Sequence, residues 1–218
     1  MKNHFGIFIS VTILAFMTNA SYAQTAPAKQ WDVRFGGTDD DGLAFLLQTA
    51  DGGYIFGGGA SSGISGDKTQ SNWDTVGSNG YYTADYWIVK TDSDGIKQWD
   101  ARFGGTDNDF LYCLQQTADK GYILTGSSSS GISGNKTQES QGGYDYWIVK
   151  TDSMGVKQWD ARFGGLNDDF AHFVQLASDG GYILGGYSDS GIGGDKTQEC
   201  QGMQDYWIVK TDSNGIKQ

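Results

Sequence analysis

The feature that most constrains this chain is a threefold internal repeat. Trp31, Trp99 and Trp159 occupy the same place in three successive units and are spaced by 68 and then 60 residues. Self-similarity at such a period is typical of folds in which each repeat is one supersecondary unit that buries its apolar surface against its neighbours. We therefore place repeat units at residues 29–96, 97–156 and 157–218.

Each unit contains four short segments with the pattern of β-strands. In the second unit these are "KQWDARFGG", "FLYCLQQTA", "KGYILTGSS" and "YDYWIVKTD", separated by Gly, Asp, Asn and Ser clusters. Glycine in "TDSDGI" and "ADGG" suits tight turns that need a positive φ, so consecutive strands are predicted to be antiparallel neighbours. "YWIVK" and "YIL" are apolar on both faces, which indicates sheets packed between similar sheets.

These patterns predict an all-β fold, a β-propeller-like arrangement of three four-stranded antiparallel blades that form an incomplete ring. Blades of a propeller cover one another's faces, which explains apolar residues on both sides of a strand. A stacked β-solenoid is the alternative, but its coils are usually shorter, roughly 20 to 30 residues.

The repeated motifs "DYWIVKTDSNGIKQ", "ARFGGTDNDF", "LQQTADKGYILTGS" and "SGISGDKTQ" also carry a family resemblance. They resemble the repeats of secreted bacterial β-propeller proteins, many of which are large surface proteins exported through type IX secretion. The resemblance spans residues 29–218 and implies a propeller, but it does not imply one activity.

The two ends of the repeat region do not match. The region starts with the strand "KQWDVRF", and its last hairpin, "DYWIVKTDSNGIKQ", lacks that same strand. The first strand could complete the last blade, yet propellers typically have 4 to 8 blades. Either two chains pair through their open ends as a six-bladed homodimer, or the sequence is a fragment of a longer array. An unpaired edge and an open apolar face favour the fragment.

Residues 1–23 have the pattern of a signal peptide. Lys2 is followed by an apolar run from Gly6 to Met17 and by Ser21-Tyr22-Ala23, a small-x-small cleavage site. The run is too short to span a bilayer, so no membrane insertion is expected after cleavage near Ala23. The sequence thus predicts a secreted or cell-surface protein whose repeat domain covers residues 24–218.

The net charge restricts the kinds of partner that the protein could bind, and the cysteine content restricts its possible disulfide and thiol chemistry. A formal net charge of -11 disfavours nucleic acid and anionic lipid surfaces. Cys113 and Cys200 occupy different positions within their repeats, so a disulfide is not expected. Cys113 replaces an apolar residue that should be buried, and neither thiol is predicted to be catalytic, because no neighbouring group is expected to lower its pKa. No cofactor is predicted.

Acidic residues follow every "FGG" motif. Calcium takes about 6 to 8 oxygen ligands, and no complete Asp-x-Asp-x-Asp-Gly loop with a distant Glu is present, so no metal site is predicted. Turn-forming side chains that bond their own backbone explain the pattern better. The residues are Asp39, Asp40, Asp41, Asp107, Asp109, Asp168 and Asp169.

Three equivalent arginines raise an enzymatic alternative. Arg34, Arg102 and Arg162 could form a ring that grips a carboxylated sugar, as a sialidase-like glycan-processing propeller would need. The hairpin "TDSDGIKQW" is similar to, but does not match, the Asp-box of that class. The simpler interpretation pairs each arginine with the aspartate two residues earlier, Asp32, Asp100 or Asp160. His172 has no predicted catalytic partner and is interpreted as a strand residue.

A longer loop distinguishes the first unit from the others. Residues 71–84, "SNWDTVGSNGYYTA", replace stretches such as "ESQGGY" and add Trp73, Tyr81 and Tyr82. Exposed aromatic side chains beside Asn and Asp are suited to stacking on sugars or to anchoring a protein; they could equally pack back onto the blade. These three residues are the predicted ligand-binding site of a non-catalytic module that binds a glycan or protein, or serves as a scaffold, at the cell surface.

Overall fold

The structure, a computed structural model, describes residues 30–73 and 83–218. The signal-peptide segment and the loop tyrosines Tyr81 and Tyr82 lie outside the described residues. Among the described residues, no helix has the length and hydropathy needed to cross a membrane. The strands are β1 (Asp41–Gln48), β2 (Tyr54–Ala60), β3 (Asp85–Thr91), β4 (Lys97–Phe103), β5 (Asp109–Gln116), β6 (Tyr122–Ser128), β7 (Asp145–Thr151), β8 (Lys157–Phe163), β9 (Asp169–Leu176), β10 (Tyr182–Ser188) and β11 (Asp205–Thr211).

The strands form three antiparallel sheets, and the first and middle sheets each take their last strand, β4 or β8, from the start of the next repeat unit. The first sheet has the order β1-β2-β3-β4, the middle sheet β5-β6-β7-β8, and the third sheet β11-β10-β9. The register repeats from sheet to sheet: Tyr86 pairs with Phe103 in the first sheet, and Tyr146 pairs with Phe163 in the middle sheet. The prediction of an all-β, propeller-like fold with antiparallel blades is confirmed, although the third sheet contains three strands instead of four.

The tight turns use the glycines that the sequence indicated. Gly95 and Gly155 have φ values of 80° and 78° in the β3–β4 and β7–β8 hairpins, a region that side chains with a Cβ avoid. Gly52 and Gly180 do the same before β2 and β10, with φ values of 84° and 83°. Lys120 takes the equivalent position in the middle unit and has φ of 66°.

The hydrophobic core lies between the sheets rather than inside them. Each inner face contributes aromatic and aliphatic side chains, as expected for strands that are apolar on both sides. Between the first and middle sheets these are Ile55, Tyr86, Ile88, Ala101, Phe103, Leu111, Leu114, Tyr122, Leu124, Trp147 and Val149. Between the middle and third sheets they are Cys113, Ile123, Tyr146, Ile148, Ala161, Phe163, Ala171, Val174, Tyr182, Leu184, Trp207 and Val209.

Two tyrosines connect the sheets with the same polar contact. The Tyr86 hydroxyl donates to the main-chain oxygen of Trp147 at 3.1 Å, and the Tyr146 hydroxyl donates to that of Trp207 at 2.9 Å. In both pairs the ring centroids are 4.9 Å apart. Because the side chains are buried and their hydroxyls are satisfied, this contact fixes the spacing of adjacent sheets.

The N-terminal segment, residues 31–37, does not complete the last blade. It lies against the first sheet, where the Trp31 and Tyr54 ring centroids are 5.6 Å apart. The same contact recurs between Trp99 of β4 and Tyr122 at 6.0 Å. Residues 31–37 therefore occupy the place that the fourth strand of a preceding blade would take.

Candidate functional site

Trp73 lies at the junction between the first and second repeat units. Its indole N–H donates to Asn135 Oδ1 at 3.0 Å, and the Arg102 guanidinium carbon lies 4.5 Å from the ring centroid. Its main-chain N–H donates to Asp85 Oδ2 at 3.1 Å. The side chain is nevertheless 49% exposed. Trp73 thus combines both interpretations of the sequence, because one ring face packs on the protein while half of its surface remains accessible.

In the second unit, Gln141 occupies the position of Trp73. The Gln141 main-chain N–H donates to Asp145 Oδ2 at 2.7 Å, and its amide oxygen accepts from Arg162 Nη1 at 2.8 Å in the orientation that satisfies its neighbours. Trp73 and Gln141 therefore contact equivalent arginines, Arg102 and Arg162, at successive junctions. The signal was readable in the sequence, since Trp73 and Gln141 both stand five residues after the lysine of a "DKTQ" or "NKTQ" motif.

Arg102 and Arg162 do not pair with the aspartates that precede them by two residues. Arg102 Nε lies 3.5 Å from Asp85 Oδ2, and Arg162 Nε lies 3.8 Å from Asp145 Oδ2. Arg162 Nη1 also contacts Asp195 Oδ2, in a loop of its own repeat unit, at 2.7 Å. The predicted pairing is therefore wrong for Arg102 and Arg162, because each guanidinium instead lies beside the aspartate that begins the neighbouring strand of its sheet.

Asp100, the predicted partner of Arg102, has other contacts. Its carboxylate accepts from the Trp87 indole at 3.0 Å and from the Thr69 hydroxyl at 2.8 Å, and it forms an ion pair with Lys97 at 2.7 Å. Asp160 repeats this arrangement in the next unit. Residues two apart on a strand share a face, but the contacts with Trp87, Thr69 and Lys97 already satisfy the Asp100 carboxylate.

A pair of buried aspartates lies between neighbouring units. Asp85 at the start of β3 and Asp109 at the start of β5 are both fully buried, and Oδ1 of each has no hydrogen-bond partner. Burial, followed by the charge of Asp109, raises the pKa of Asp85 to about 7. Burial also raises the pKa of Asp109 to about 6, against the lowering effect of its hydrogen bonds. Asp145 and Asp169 repeat the pair at the next junction.

The aspartates that begin the first strand of each sheet stabilise turns. Asp109 Oδ2 accepts from the Gly105 main-chain N–H at 2.7 Å and from the Ser130 hydroxyl at 2.9 Å. Asp41 and Asp169 make the same contacts in their units. Among the described residues, no group of three or more His, Cys, Asp or Glu side chains could hold a metal ion. For these three residues the turn interpretation is the one that the contacts favour.

A row of aromatic side chains, which the sequence analysis did not identify, crosses from the second to the third unit. Successive ring centroids are 4.7 to 6.1 Å apart, and all six side chains are half-buried. The row consists of Phe110, Tyr144, Phe170, Tyr187, His172 and Tyr112. The spacing of two residues between Phe110 and Tyr112, and between Phe170 and His172, places them on one face of their strands and was the available signal.

His172 lies on β9 inside this aromatic row, as the interpretation of a strand residue required. Its ring centroid is 4.7 Å from that of Tyr112 and 5.4 Å from that of Tyr187. Burial lowers the pKa of the imidazole. Nε2 is buried without a hydrogen-bond partner, so the described contacts that hold the ring are the stacking contacts.

The two cysteines are free, and their surroundings differ. Cys113 is buried between the middle and third sheets, and burial raises the pKa of its thiol. Cys200 Sγ lies 2.9 Å from Lys196 Nζ. Lys196 reaches back within its own loop to this thiol, as Lys136 does to Ser140 at 2.7 Å.

The fold and these contacts define a class: an all-β repeat protein whose antiparallel, blade-like sheets stack face to face. Regulatory protein FlaEY of Caulobacter vibrioides (strain ATCC 19089 / CIP 103742 / CB 15) is 28% identical to this chain over 201 residues. The match covers 89% of the chain and 20% of FlaEY, so the chain spans about a fifth of that relative's length. No protein-family model matches the chain.

Proposed function

We propose that this protein is a non-catalytic, secreted or cell-surface repeat module that binds a glycan or a protein and serves as a scaffold. Trp73 is the observation that carries the proposal. Its indole is 49% exposed, yet Arg102 and Asn135 hold its orientation. A pre-oriented aromatic ring loses little conformational entropy on binding, which is the property that favours stacking on a sugar or docking of a protein.

The polar residues of the repeats support a structural rather than a chemical role. Arg102 and Arg162 have side chains that are only 12% exposed and contact residues of neighbouring loops. A sialidase-like enzyme would need these guanidinium groups to face a carboxylated substrate. Among the described residues, no observation favours that alternative over the binding module.

The match to FlaEY is compatible with a repeat module placed inside longer proteins, because the similar region is 20% of that protein. The predicted signal peptide and the resemblance to secreted propeller repeats support the extracellular location. A fluorogenic sialoside assay separates the two functions: turnover that Arg102→Ala abolishes would establish the enzyme and overturn the binding module.

The binding function is tested by replacing Trp73 with glutamine, the residue that stands at its position in the other two units. Wild type and Trp73→Gln would be compared on glycan arrays and in pull-downs of cell-surface proteins, with Ile132→Ala as the control on another exposed loop. We expect Trp73→Gln to lose binding while Ile132→Ala retains it. Equal binding by both variants would remove Trp73 from the site.

A further inference from the structure

The third sheet leaves open the face that the other sheets bury. Tyr206 is 94% exposed and Ile208 is 61% exposed, whereas the equivalent Tyr146 and Ile148 are fully buried. Phe173, at the position of buried Cys113, is 70% exposed. We call Phe173, Ile183, Tyr206 and Ile208 the trailing face.

The first sheet presents the opposite surface of the same repeating contact. An apolar groove of about 250 Å³ lies between residues 31–35 and the sheet. Leu43 and Leu46 line it and are 64% and 56% exposed, while the equivalent Leu111 and Leu114 are buried against the first sheet. We call this surface, formed by Val33, Leu43, Leu46, Phe56 and Trp87, the leading groove.

We propose that the leading groove of one chain binds the trailing face of a second copy, head to tail. The contact would repeat the one that already joins the first sheet to the middle sheet and the middle sheet to the third. Ile183, Tyr206 and Ile208 have the same residue types, at the same strand positions, as the surfaces that fill those two junctions, and Phe173 stands where the middle sheet has Cys113. Assembly by a second copy thus continues an interface that the chain forms twice within itself.

Residues 31–35 would supply the fourth strand that the third sheet of the second copy lacks. In the middle sheet, Tyr146 pairs with Phe163 and Trp147 pairs with Arg162. The same register places Phe35 opposite Tyr206 of the second copy, and Arg34 opposite Trp207. The segments "WDVRFGG" and "WDARFGG" differ at one residue, so the N-terminal segment has the sequence that this edge pairs with elsewhere.

Polar groups at the two surfaces are also complementary. Tyr146 donates to the main-chain oxygen of Trp207 inside the chain, and Tyr206 would donate to that of Trp87 of the second copy. The Arg162 and Asp145 contact at 3.8 Å predicts that Arg34 approaches Asp205 of the second copy. Opposite charges thus meet where the edge strand pairs, which favours this orientation over head-to-head contact.

Two chains joined at both ends would contain six sheets, within the range of about 4 to 8 blades that closed propellers have. The inference is independent of the proposed binding function, because Trp73 belongs to neither surface. It predicts that the chain purified after export has twice the monomer mass by size-exclusion chromatography with light scattering.

The decisive variant is Tyr206→Asp, since a side chain that is 94% exposed in a single chain can be replaced without disturbing the fold. We expect Tyr206→Asp to return the protein to the monomer mass with an unchanged circular dichroism spectrum. The control is Leu166→Asp, a loop residue that is 75% exposed and should keep the assembly intact. A wild-type monomer, or an assembly that Tyr206→Asp leaves unchanged, overturns the proposal. If the wild-type protein forms an assembly larger than two chains and Tyr206→Asp dissociates it, the head-to-tail contact is supported but a ring closed by two chains is excluded.

A charge exchange tests the orientation. Arg34→Asp and Asp205→Arg should each be monomeric alone, because like charges then meet at both contacts. Mixed one to one, they should form the pair again, since one contact has the native charges and the other has them exchanged. Failure of the mixture to pair while both variants remain folded would exclude the head-to-tail register.

Discussion

Trp73 covers the guanidinium of Arg102, with 4.5 Å between the guanidinium carbon and the ring centroid. Arg102 belongs to the first sheet, and its Nη1 also donates to Asn135 of the second unit at 3.2 Å. The residue that best fits a ligand-contact role is therefore also part of the junction between two repeats. Its contributions to stability and to binding have to be separated experimentally.

We expect Trp73→Ala to lower the free energy of unfolding by about 1 kcal/mol, because a partly exposed cation–π contact contributes about that much. Trp73→Gln should lose less, since Gln141 satisfies Arg162 at the equivalent position. Urea denaturation of the two variants measures the difference. An equal loss would mean that glutamine at this position does not reach Arg102.

The buried aspartates predict an unusual dependence of stability on pH. Folding raises the pKa of Asp85 to about 7 and that of Asp109 to about 6, so the folded chain binds protons that the unfolded chain releases above about pH 4. Stability should therefore fall as the pH rises from about 4 to 7, by up to about 1.4 kcal/mol per pH unit for each proton.

Carboxylates with a lowered pKa determine how the stability changes at more acidic pH. Hydrogen bonds, with that from Thr49 as the largest contribution, lower the pKa of Asp51 to about 2, so the stability it contributes is lost on acidification below about pH 4. Asp85→Asn should flatten the slope between about pH 4 and 7, as measured by urea midpoints at each pH. An unchanged slope would assign the proton uptake to other groups.

Substitution of Gly104 tests how closely the backbone packs against Asp85 and Asp109, and the equivalent Gly36 provides the control. A Cβ at Gly104 would lie 2.2 Å from Asp85 Oδ1 and 2.9 Å from Asp109 Oδ2, whereas one at the equivalent Gly36 would lie 3.3 Å from Asp41 Oδ2. We expect Gly104→Ala to cost about 1 to 3 kcal/mol, as overpacking of a buried site does. Gly36→Ala should cost clearly less in the same thermal unfolding experiment. Similar costs would show that the carboxylates can move apart.

At Lys120, by contrast, substitution with glycine is expected to stabilise the protein. Its φ of 66° is taken by glycine at both equivalent positions, Gly52 and Gly180. A residue with a Cβ loses roughly 1 to 2 kcal/mol in this conformation, part of which glycine returns as chain entropy on folding. Lys120→Gly should therefore stabilise the protein by up to about 1 kcal/mol in urea denaturation. A destabilised variant would mean that the lysine side chain makes a compensating contact.

The repeat made most of the fold predictable. Because "DYWIVK" and "WDARFGG" recur with little change, strand boundaries, turn glycines and antiparallel order could be read from spacing and alternation alone. Contacts between repeats could not, since they depend on which loop reaches which strand. Arg102 was assigned to Asp100, two residues away, but it contacts Asp85, which β-pairing brings beside it.

The candidate site was likewise predictable from the sequence only in part. Trp73 was identified by composition, because an aromatic residue in a polar loop is conspicuous, but its contact with Arg102 needed the stacking of two sheets. The aromatic row was missed for the same reason: Tyr112 and Tyr187 are remote in sequence, and His172 lies between them only after β5, β9 and β10 assemble.

The middle sheet has a neighbouring sheet on both faces, and every residue of β6 and β7 is buried, as is every residue of β3 in the first sheet. In a stack where each sheet is stabilised by its neighbours, local opening starts at the ends and becomes more costly toward the centre. We therefore expect amide protons of β6 and β7 to exchange with solvent most slowly, and those of β11, a strand at a sheet edge, to exchange through local fraying. The two outer sheets are thus expected to depend on the middle sheet for their stability.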